Sequence, residues 1–366
     1  MFDRRLVSNF DWVLFLTVLL IAGIGITNLY SATYSDHVSG GTPLYLKQLL
    51  WLAGGVLLAQ LICLFDYRHL EHFAIHIYGL SLVLLIYVLL IGRTTMGATR
   101  WIHLGFFNLQ PGEVIKIAMI LLLAKIFAET TTPFGYSLSE LWQPALLLLL
   151  PVLLILKEPD LGTAMMVIFI SMTMLLFAGL KRSTLVGLMV LAGLVGVAGW
   201  FGLHDYQRAR IRTFLNPEAD PLGSGYHIIQ SKIAVGSGGF FGKGFIQGTQ
   251  SQLAFLPERH TDFAFSVFAE EWGFAGSLVI LLLYLFLIVW SLYVARRAAD
   301  KFGLFLAVGV AAMLFWHIVV NLGMVIGLLP VVGVPLPLFS YGGTSMVTTM
   351  IGVGLLMNVS MRRFMF

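Results

Sequence analysis

Ten stretches of this chain stay predominantly apolar for the roughly 20 residues a helix needs to cross about 30 Å of hydrocarbon. They fall near 12–32, 46–65, 74–92, 113–128, 141–157, 161–180, 184–203, 264–295, 303–328 and 340–360. In lipid every backbone polar group must be satisfied within the protein, so this spacing predicts an all-α polytopic membrane protein of about ten transmembrane helices. The whole chain, 1–366, reads as one membrane domain, with 58% hydrophobic and only 11% charged residues and no separate soluble catalytic unit. Cys63 stands alone inside an apolar run, which excludes an intrachain disulfide and cysteine-held zinc. Asp3, Arg4 and Arg5 precede the first run, but no small-residue cleavage site follows it, so it is expected to remain as a span.

The cations orient the spans. Arg4, Arg5, Arg68, Lys125, Lys181, Arg182, Arg296, Arg297, Lys301, Arg362 and Arg363 fall on one side, eleven in all, against four on the other, Lys47, Arg93, Arg100 and Lys157. The positive-inside rule then predicts both termini in the cytoplasm. The net charge of +4 does not point to nucleic acid, because the cations mark span ends instead of clustering on a soluble face. By parity the only long hydrophilic insertion, 204–262 between spans seven and eight, is extracytoplasmic. Its stretch "YHIIQSKIAVGSGGFFGKGF" (226–245) is too apolar for a disordered linker. A short helix at the outer membrane surface is expected there, followed by a packed or re-entrant loop.

Ionisable groups inside spans cost about 2.5–3.5 kcal/mol on insertion scales and therefore mark candidate sites. In "QPGEVIKIAM" (110–119), Glu113 and Lys116 share a helical face and can pair, either as a structural salt bridge or as the polar lining of a cavity. In "KEPDLGTA" (157–164), Asp160 can cap the sixth span, or hold a metal or a pyrophosphate through a bridging cation. "LPERHTDF" (256–263) gathers Glu258, Arg259, His260 and Asp262 just before an apolar run that carries Glu270 and Glu271. Its plain reading is a capped helix start; its functional reading is a polar cluster where a lipid head group would lie. "GSGGFFGKG" (236–244) fails as a phosphate loop, because Ser237 and Gly244 stand where Gly and Ser or Thr are required. His317, alone in the ninth span, reads as a hydrogen-bonded packing residue.

The stretch 204–276, together with "QPGEVIKIA", "EPDLGTA" and "NLGMVIGLLPVVGVPLPLFSYGGTS" (321–345), resembles the SEDS family (shape, elongation, division and sporulation), and most closely its rod-elongation branch. The resemblance covers nearly the whole chain. It implies an enzyme that polymerises lipid II into glycan strands at the outer face of the bacterial cytoplasmic membrane during lateral wall elongation. By the same resemblance the Asp of "ERHTDF", Asp262, is essential for polymerisation. Glu113 and Lys116 match a buried polar pair, and Asp160, Arg208, Arg212, Lys232, Glu258 and Arg259 match motif positions expected to bind substrate. Gly112 departs from the Ser common before this Glu and leaves Glu113 in place. Expected partners are a class B penicillin-binding protein, which would supply transpeptidation, and the rod-elongation complex. Spans eight and nine with segment 318–339 are a candidate contact face for it.

The chemistry is consistent with those residue types. A sugar hydroxyl is a poor nucleophile at neutral pH, and a carboxylate such as Asp262 within hydrogen-bond reach can serve as general base. An α-linked donor that yields a β-linked product implies direct displacement with inversion. The departing pyrophosphate needs positive charge, for which Arg208, Arg210, Arg212, Lys232 and Arg259 are candidates, and a divalent cation, Mg or Mn, could share the task. No cofactor is required by the sequence. A lipid II transporter that uses Glu113 and Lys116 as its path is the rival, and a scaffold for other wall enzymes is compatible with either.

Overall fold

In a computed structural model that describes residues 9–34, 42–95, 98–103, 105, 108–130, 135–202, 208, 212–219, 224–253, 255–256 and 258–363, ten long helices occupy the ten apolar stretches. They are Trp12–Ala32, Leu44–Leu64, Tyr67–Ile91, Pro111–Glu129, Trp142–Lys157, Leu161–Ala178, Arg182–Gly202, Ala264–Arg296, Lys301–Val325 and Gly343–Arg362. Counting the one-turn lead-in Leu138–Leu141 with the fifth, nine of them are long and apolar enough to cross a membrane. The exception is the fourth, Pro111–Glu129, which carries Glu113, Lys116, Lys125 and Glu129. It is long enough to span, and it packs against the third, sixth and ninth helices, so protein and not lipid surrounds most of its surface. The ninth and tenth helices are also mostly interior, whereas the seventh is almost wholly exposed.

Three boundaries differ from the sequence reading, each for a local reason. The third helix starts at Tyr67 and not near 74, because Asp66 accepts the Arg68 N–H at 3.0 Å and caps a polar first turn that hydropathy alone does not register. The eighth bends at Gly273 (φ 63°, ψ −160°), so 264–272 is a separate buried helical piece and the span proper follows it. The ninth stops at Val325 and the tenth begins at Gly343, leaving 326–342 non-helical, with Pro330, Pro335 and Pro337 along it.

From Val332 to Ser340 that re-entrant segment lies mostly inside the protein, whereas Ile326 and Leu328 are exposed. Val332, Val334, Leu336, Leu338 and Phe339 are buried. Its irregular backbone is tolerated because side chains satisfy it: Gln48 donates to Ser340 O (3.0 Å) and accepts from Gly342 N (3.2 Å), and Ser340 Oγ accepts from Leu336 N (3.1 Å). Neighbouring helices come close enough to require glycine. A Cβ on Gly25 would lie 2.6 Å from Phe339 Cα, and one on Gly162 2.4 Å from Val332 O. Within segment 318–339, weighed from the sequence as a partner-contact face, Val332, Val334, Leu336, Leu338 and Phe339 are core while Ile326 and Leu328 are exposed. On the eighth helix Leu278, Leu282, Leu285 and Val289 are exposed.

The connectors supply the remaining walls of the site. Between the third and fourth helices the all-α bundle carries a small antiparallel sheet, β1 (Arg93–Thr95), β2 (Ala98–His103) and β3 (Asn108–Leu109), with Arg93 opposite Trp101 and Ile102 opposite Leu109. The long insertion contains the helix Ser224–Ser237, which packs on the eighth helix; Ser231 Oγ is 2.8 Å from Ser266 Oγ and donates to Val325 O at 2.6 Å. The loop after it is fastened by two buried carboxylates. Glu270 accepts from Lys243 Nζ (2.7 Å), Thr249 Oγ1 (3.0 Å) and Gln250 N (3.2 Å), and Glu271 accepts from Ser31 Oγ.

Candidate active site

Asp262 is presented by a tight turn built on Glu258. The Glu258 carbonyl accepts from Thr261 N (3.1 Å) and Phe263 N (3.3 Å), and its carboxylate accepts from Thr261 Oγ1 (2.8 Å). Glu258 adopts φ 52°, a left-handed conformation uncommon outside glycine. The turn is tied to the re-entrant segment by Tyr341 N donating to His260 O at 2.8 Å. Arg259 is buried beneath it. Burial holds the His227 imidazole below its usual pKa, partly offset by the nearby Glu258 charge.

The Asp262 side chain lines a cavity of about 890 Å³. Asp160 lines it too, as do Lys47 and Trp51 from the second helix, Arg100 and Trp101 from β2, Gln110, Thr261, Tyr341 and Thr344. Asp160 has two duties. It caps the sixth helix by accepting from Thr163 N (3.1 Å) and Thr163 Oγ1 (3.0 Å), and it accepts from Gln110 (3.3 Å) beside the Arg100 guanidinium at 3.5 Å. Arg100 also donates to Pro159 O at 2.6 Å, which fixes β2 against the start of that helix. The result is a pocket with two carboxylates, two cations and aromatic walls, shaped for a polar, charged group that carries sugar rings or similar flat faces.

The other residues singled out in the sequence lie elsewhere. Glu113 and Lys116 do pair, Nζ to Oε1 at 2.7 Å, fully inside the bundle and off the cavity wall. Sequence reading missed their third member: Lys116 Nζ is 2.7 Å from His317 Nε2, and His317 Nδ1 is 2.7 Å from Met313 O. With Nδ1–H donated to that carbonyl, Nε2 is left as acceptor for the ammonium, so one Lys joins a carboxylate and an imidazole from two helices. Lys232 is exposed, its stem lying across Gly327. Arg208 donates to Phe201 O at 2.9 Å, and Arg212 is exposed. Arg210, Arg4 and Arg5 lie outside the described residues. Lys47 and Arg100, counted in the sequence only as topology signals, are the cavity's cations; the signal available was that both fall on the same side as the long loop.

Glu158, next to this site, is buried, and its Oε1 has no hydrogen-bond partner. Burial, reinforced by the charge of Asp160 and eased by Arg100, raises its pKa to about 8. A carboxyl raised in the folded state keeps its proton where the unfolded chain has lost it, so stability falls as pH rises from the ordinary carboxylate range to about 8, then levels off. Glu158→Gln removes that penalty. Its thermal midpoint is expected to exceed wild type by several degrees at pH 8 and to converge with it toward pH 4.5, measured by melting the detergent-solubilised protein at both pH values.

Comparison with known proteins places this architecture. Residues 11–364 match the family of FtsW, RodA and SpoVE, described as cell cycle proteins. The peptidoglycan glycosyltransferase MrdB of Escherichia coli K12 is 44% identical over 315 residues, 86% of this chain and 85% of that protein. The peptidoglycan glycosyltransferase RodA of Treponema pallidum is 35% identical and covers 98% of this chain and 99% of its own. Among solved structures, a chain from a peptidoglycan synthase complex that coordinates polymerization and crosslinking superposes with a TM-score of 0.83 at 40% identity, over 98% of this chain and 99% of that one. The rod shape determining protein RodA of Thermus thermophilus superposes with a TM-score of 0.72 at 35% identity, over 97% and 98%. With a family match across almost its full length, relatives well above 30% identity and the same helical bundle in solved structures, this chain belongs to the FtsW/RodA/SpoVE family of membrane proteins.

Proposed function

We propose that this protein is a peptidoglycan glycosyltransferase that polymerises lipid II during cell-wall elongation, with the cavity around Asp262 as its active site on the outer face of the cytoplasmic membrane. The observation that carries the reading is the joint lining of one cavity by Asp262, Asp160, Lys47 and Arg100. The 4-hydroxyl of one sugar attacks the anomeric carbon of another. A C–O bond to the acceptor forms as the C–O bond to undecaprenyl pyrophosphate breaks, and the hydroxyl proton passes to Asp262 as general base. One base and a single displacement give inversion with no covalent sugar intermediate. Lys47 and Arg100 meet the negative charge that grows on the departing pyrophosphate.

The sidedness rests on the cation count along the sequence, which puts Lys47 and Arg100 with the long loop on the side opposite most of the arginines. Among the described residues no cluster of three or more His, Cys, Asp or Glu could hold a metal by itself. A Mg or Mn ion would fit as such ions commonly do beside phosphates, on one or two carboxylates of the cavity and the substrate's own oxygens, where it would neutralise pyrophosphate charge. A class B penicillin-binding protein is proposed as partner, and one similar chain does come from a complex that couples polymerization to crosslinking. The transporter reading is less favoured, because Glu113, Lys116 and His317 are hydrogen-bonded to one another inside the bundle and do not line the Asp262 cavity.

The cavity cations give the test. Arg100→Gln and Lys47→Gln are each expected to lower kcat for glycan formation from lipid II by about 10²–10³, as removal of one electrostatic stabiliser does. Both variants at wild-type rates would remove the leaving-group assignment. Movement of lipid II across liposomes without strand formation would favour transport.

A further inference from the structure

We propose that Asn321 is a positioning residue for Asp262: its amide nitrogen clamps the Asp262 turn to the Val332–Val334 strap and thereby sets that carboxylate against the helix that carries Asp160. The inference rests on the polymerase reading of the cavity.

Asn321 lies in the ninth helix, fully buried. Its Nδ2 donates to the Asp262 carbonyl at 3.0 Å and to the Val334 carbonyl at 2.8 Å. An Asn amide nitrogen has two hydrogens, and both are used here on backbone oxygens of two different segments. Its own Oδ1 is buried without a hydrogen-bond partner. Asn28 in the first helix shares that feature, so what sets Asn321 apart is that its one amide joins the Asp262 turn to the strap.

What the clamp holds is the wall between the two cavity carboxylates. Val332 and Val334 pack with Met166 of the sixth helix and Val320 of the ninth. Val332 O lies so close to Gly162, two residues after Asp160, that a Cβ there would stand 2.4 Å from it. Between them, Gly333 (φ 72°) passes the Asp262 carboxylate, with Oδ2 3.6 Å from where its Cβ would be. The strap is thus seated on the Asp160 helix by one residue and tied to Asp262 through Asn321 by another. Displacements of about 1 Å at a reacting group can cost roughly 10²-fold in rate, so a tie of this kind acts on chemistry more than on substrate binding.

Asn28 offers a built-in comparison. It is equally buried and donates to Ala264 O at 2.9 Å, two residues beyond Asp262, rather than to the Asp262 carbonyl or the Val334 carbonyl. The experiment uses the full chain in detergent with lipid II, comparing wild type, Asp262→Asn, Asn321→Leu, Asn28→Leu and Gly162→Ala, and follows steady-state rates with backbone hydrogen exchange. Asn321→Leu is expected to lower kcat by at least about tenfold with KM within about twofold, and to speed exchange in both 258–264 and 331–336. Gly162→Ala, which pushes the same strap from its other side and removes no hydrogen bond, is expected to show the same kcat-only loss. Asn28→Leu should lose protection near 264 while staying within about threefold of wild-type kcat.

The proposal is overturned if Asn321→Leu and Gly162→Ala both polymerise at near wild-type kcat while Asp262→Asn is inactive; the polymerase reading would then stand without the clamp. It is equally overturned if Asn28→Leu matches the Asn321→Leu rate loss, which would make both effects generic losses of a buried amide. A wild type that makes no strands under any condition would instead remove the polymerase reading, and the exchange data would show that loss to be independent of the tie between the two segments.

Discussion

Asp262→Asn is expected to lower the rate of glycan polymerisation by about 10²–10⁴ while leaving the fold intact. The size is that of a positioned general base. Asn occupies the same space and can still hydrogen-bond the acceptor hydroxyl, but it cannot take the proton as the new C–O bond forms. The fold should not notice, because the turn is held by the Glu258 carbonyl and carboxylate, by Tyr341 N on His260 O and by Asn321 on the Asp262 carbonyl, none of which needs the Asp262 side chain. Steady-state rates at saturating lipid II, with a thermal melt of the same preparation, separate the two effects. A variant with wild-type melting and wild-type rate at every pH would take the base assignment away from Asp262.

Lys116→Met carries the second large effect, this time on stability. Lys116 bridges Glu113 at 2.7 Å and His317 at 2.7 Å with almost no contact with solvent. Methionine fills much of the volume but strands a buried carboxylate, and the loss of one partner of a buried pair costs about 3–5 kcal/mol. The expected result is a markedly lower melting temperature and poor recovery from membranes. Glu113→Gln combined with Lys116→Met should recover part of the loss, since removal of both charges relieves the uncompensated one. If the double variant is instead as unstable as the sum of the singles, the pair is not a closed structural unit, and a role for these groups in handling substrate gains weight.

The span pattern was legible in the sequence because membrane thickness imposes a length that composition reveals directly. The fourth span could be read even with Glu113 and Lys116 in it, since Pro111 and a first-turn acid mark a helix start. The end of the ninth could not. In 326–342 apolar residues continue past the helix, those from Val332 to Phe339 mostly buried in protein, and hydropathy does not distinguish an irregular strap from more helix. Pro330, Pro335 and Pro337 were the available warning.

Of the site, the residues in compact motifs were visible. Asp160 stands out after a proline and Asp262 in a charged octapeptide, and both line the cavity. Lys47 and Arg100 belong to no local pattern, and only the fold, which puts the second helix and β2 around one cavity, brings them together. Asn321 was invisible for a different reason, and His317, read as a hydrogen-bonded packing residue as it proves to be, did not reveal Lys116 as its partner. A polar side chain in an apolar run shows its purpose only through the partner it reaches, and those partners lie on other helices or loops.

Whether the Asp262 cavity makes glycan strands can be measured directly. The direct measurement is polymerisation of purified lipid II by the detergent-solubilised protein, alone and with a class B penicillin-binding protein, comparing wild type with Asp262→Ala. Muramidase-sensitive strands are expected from wild type and none above background from the variant. Strands formed equally well by Asp262→Ala would contradict this assignment, as would a wild type that forms none with the partner and Mg or Mn present.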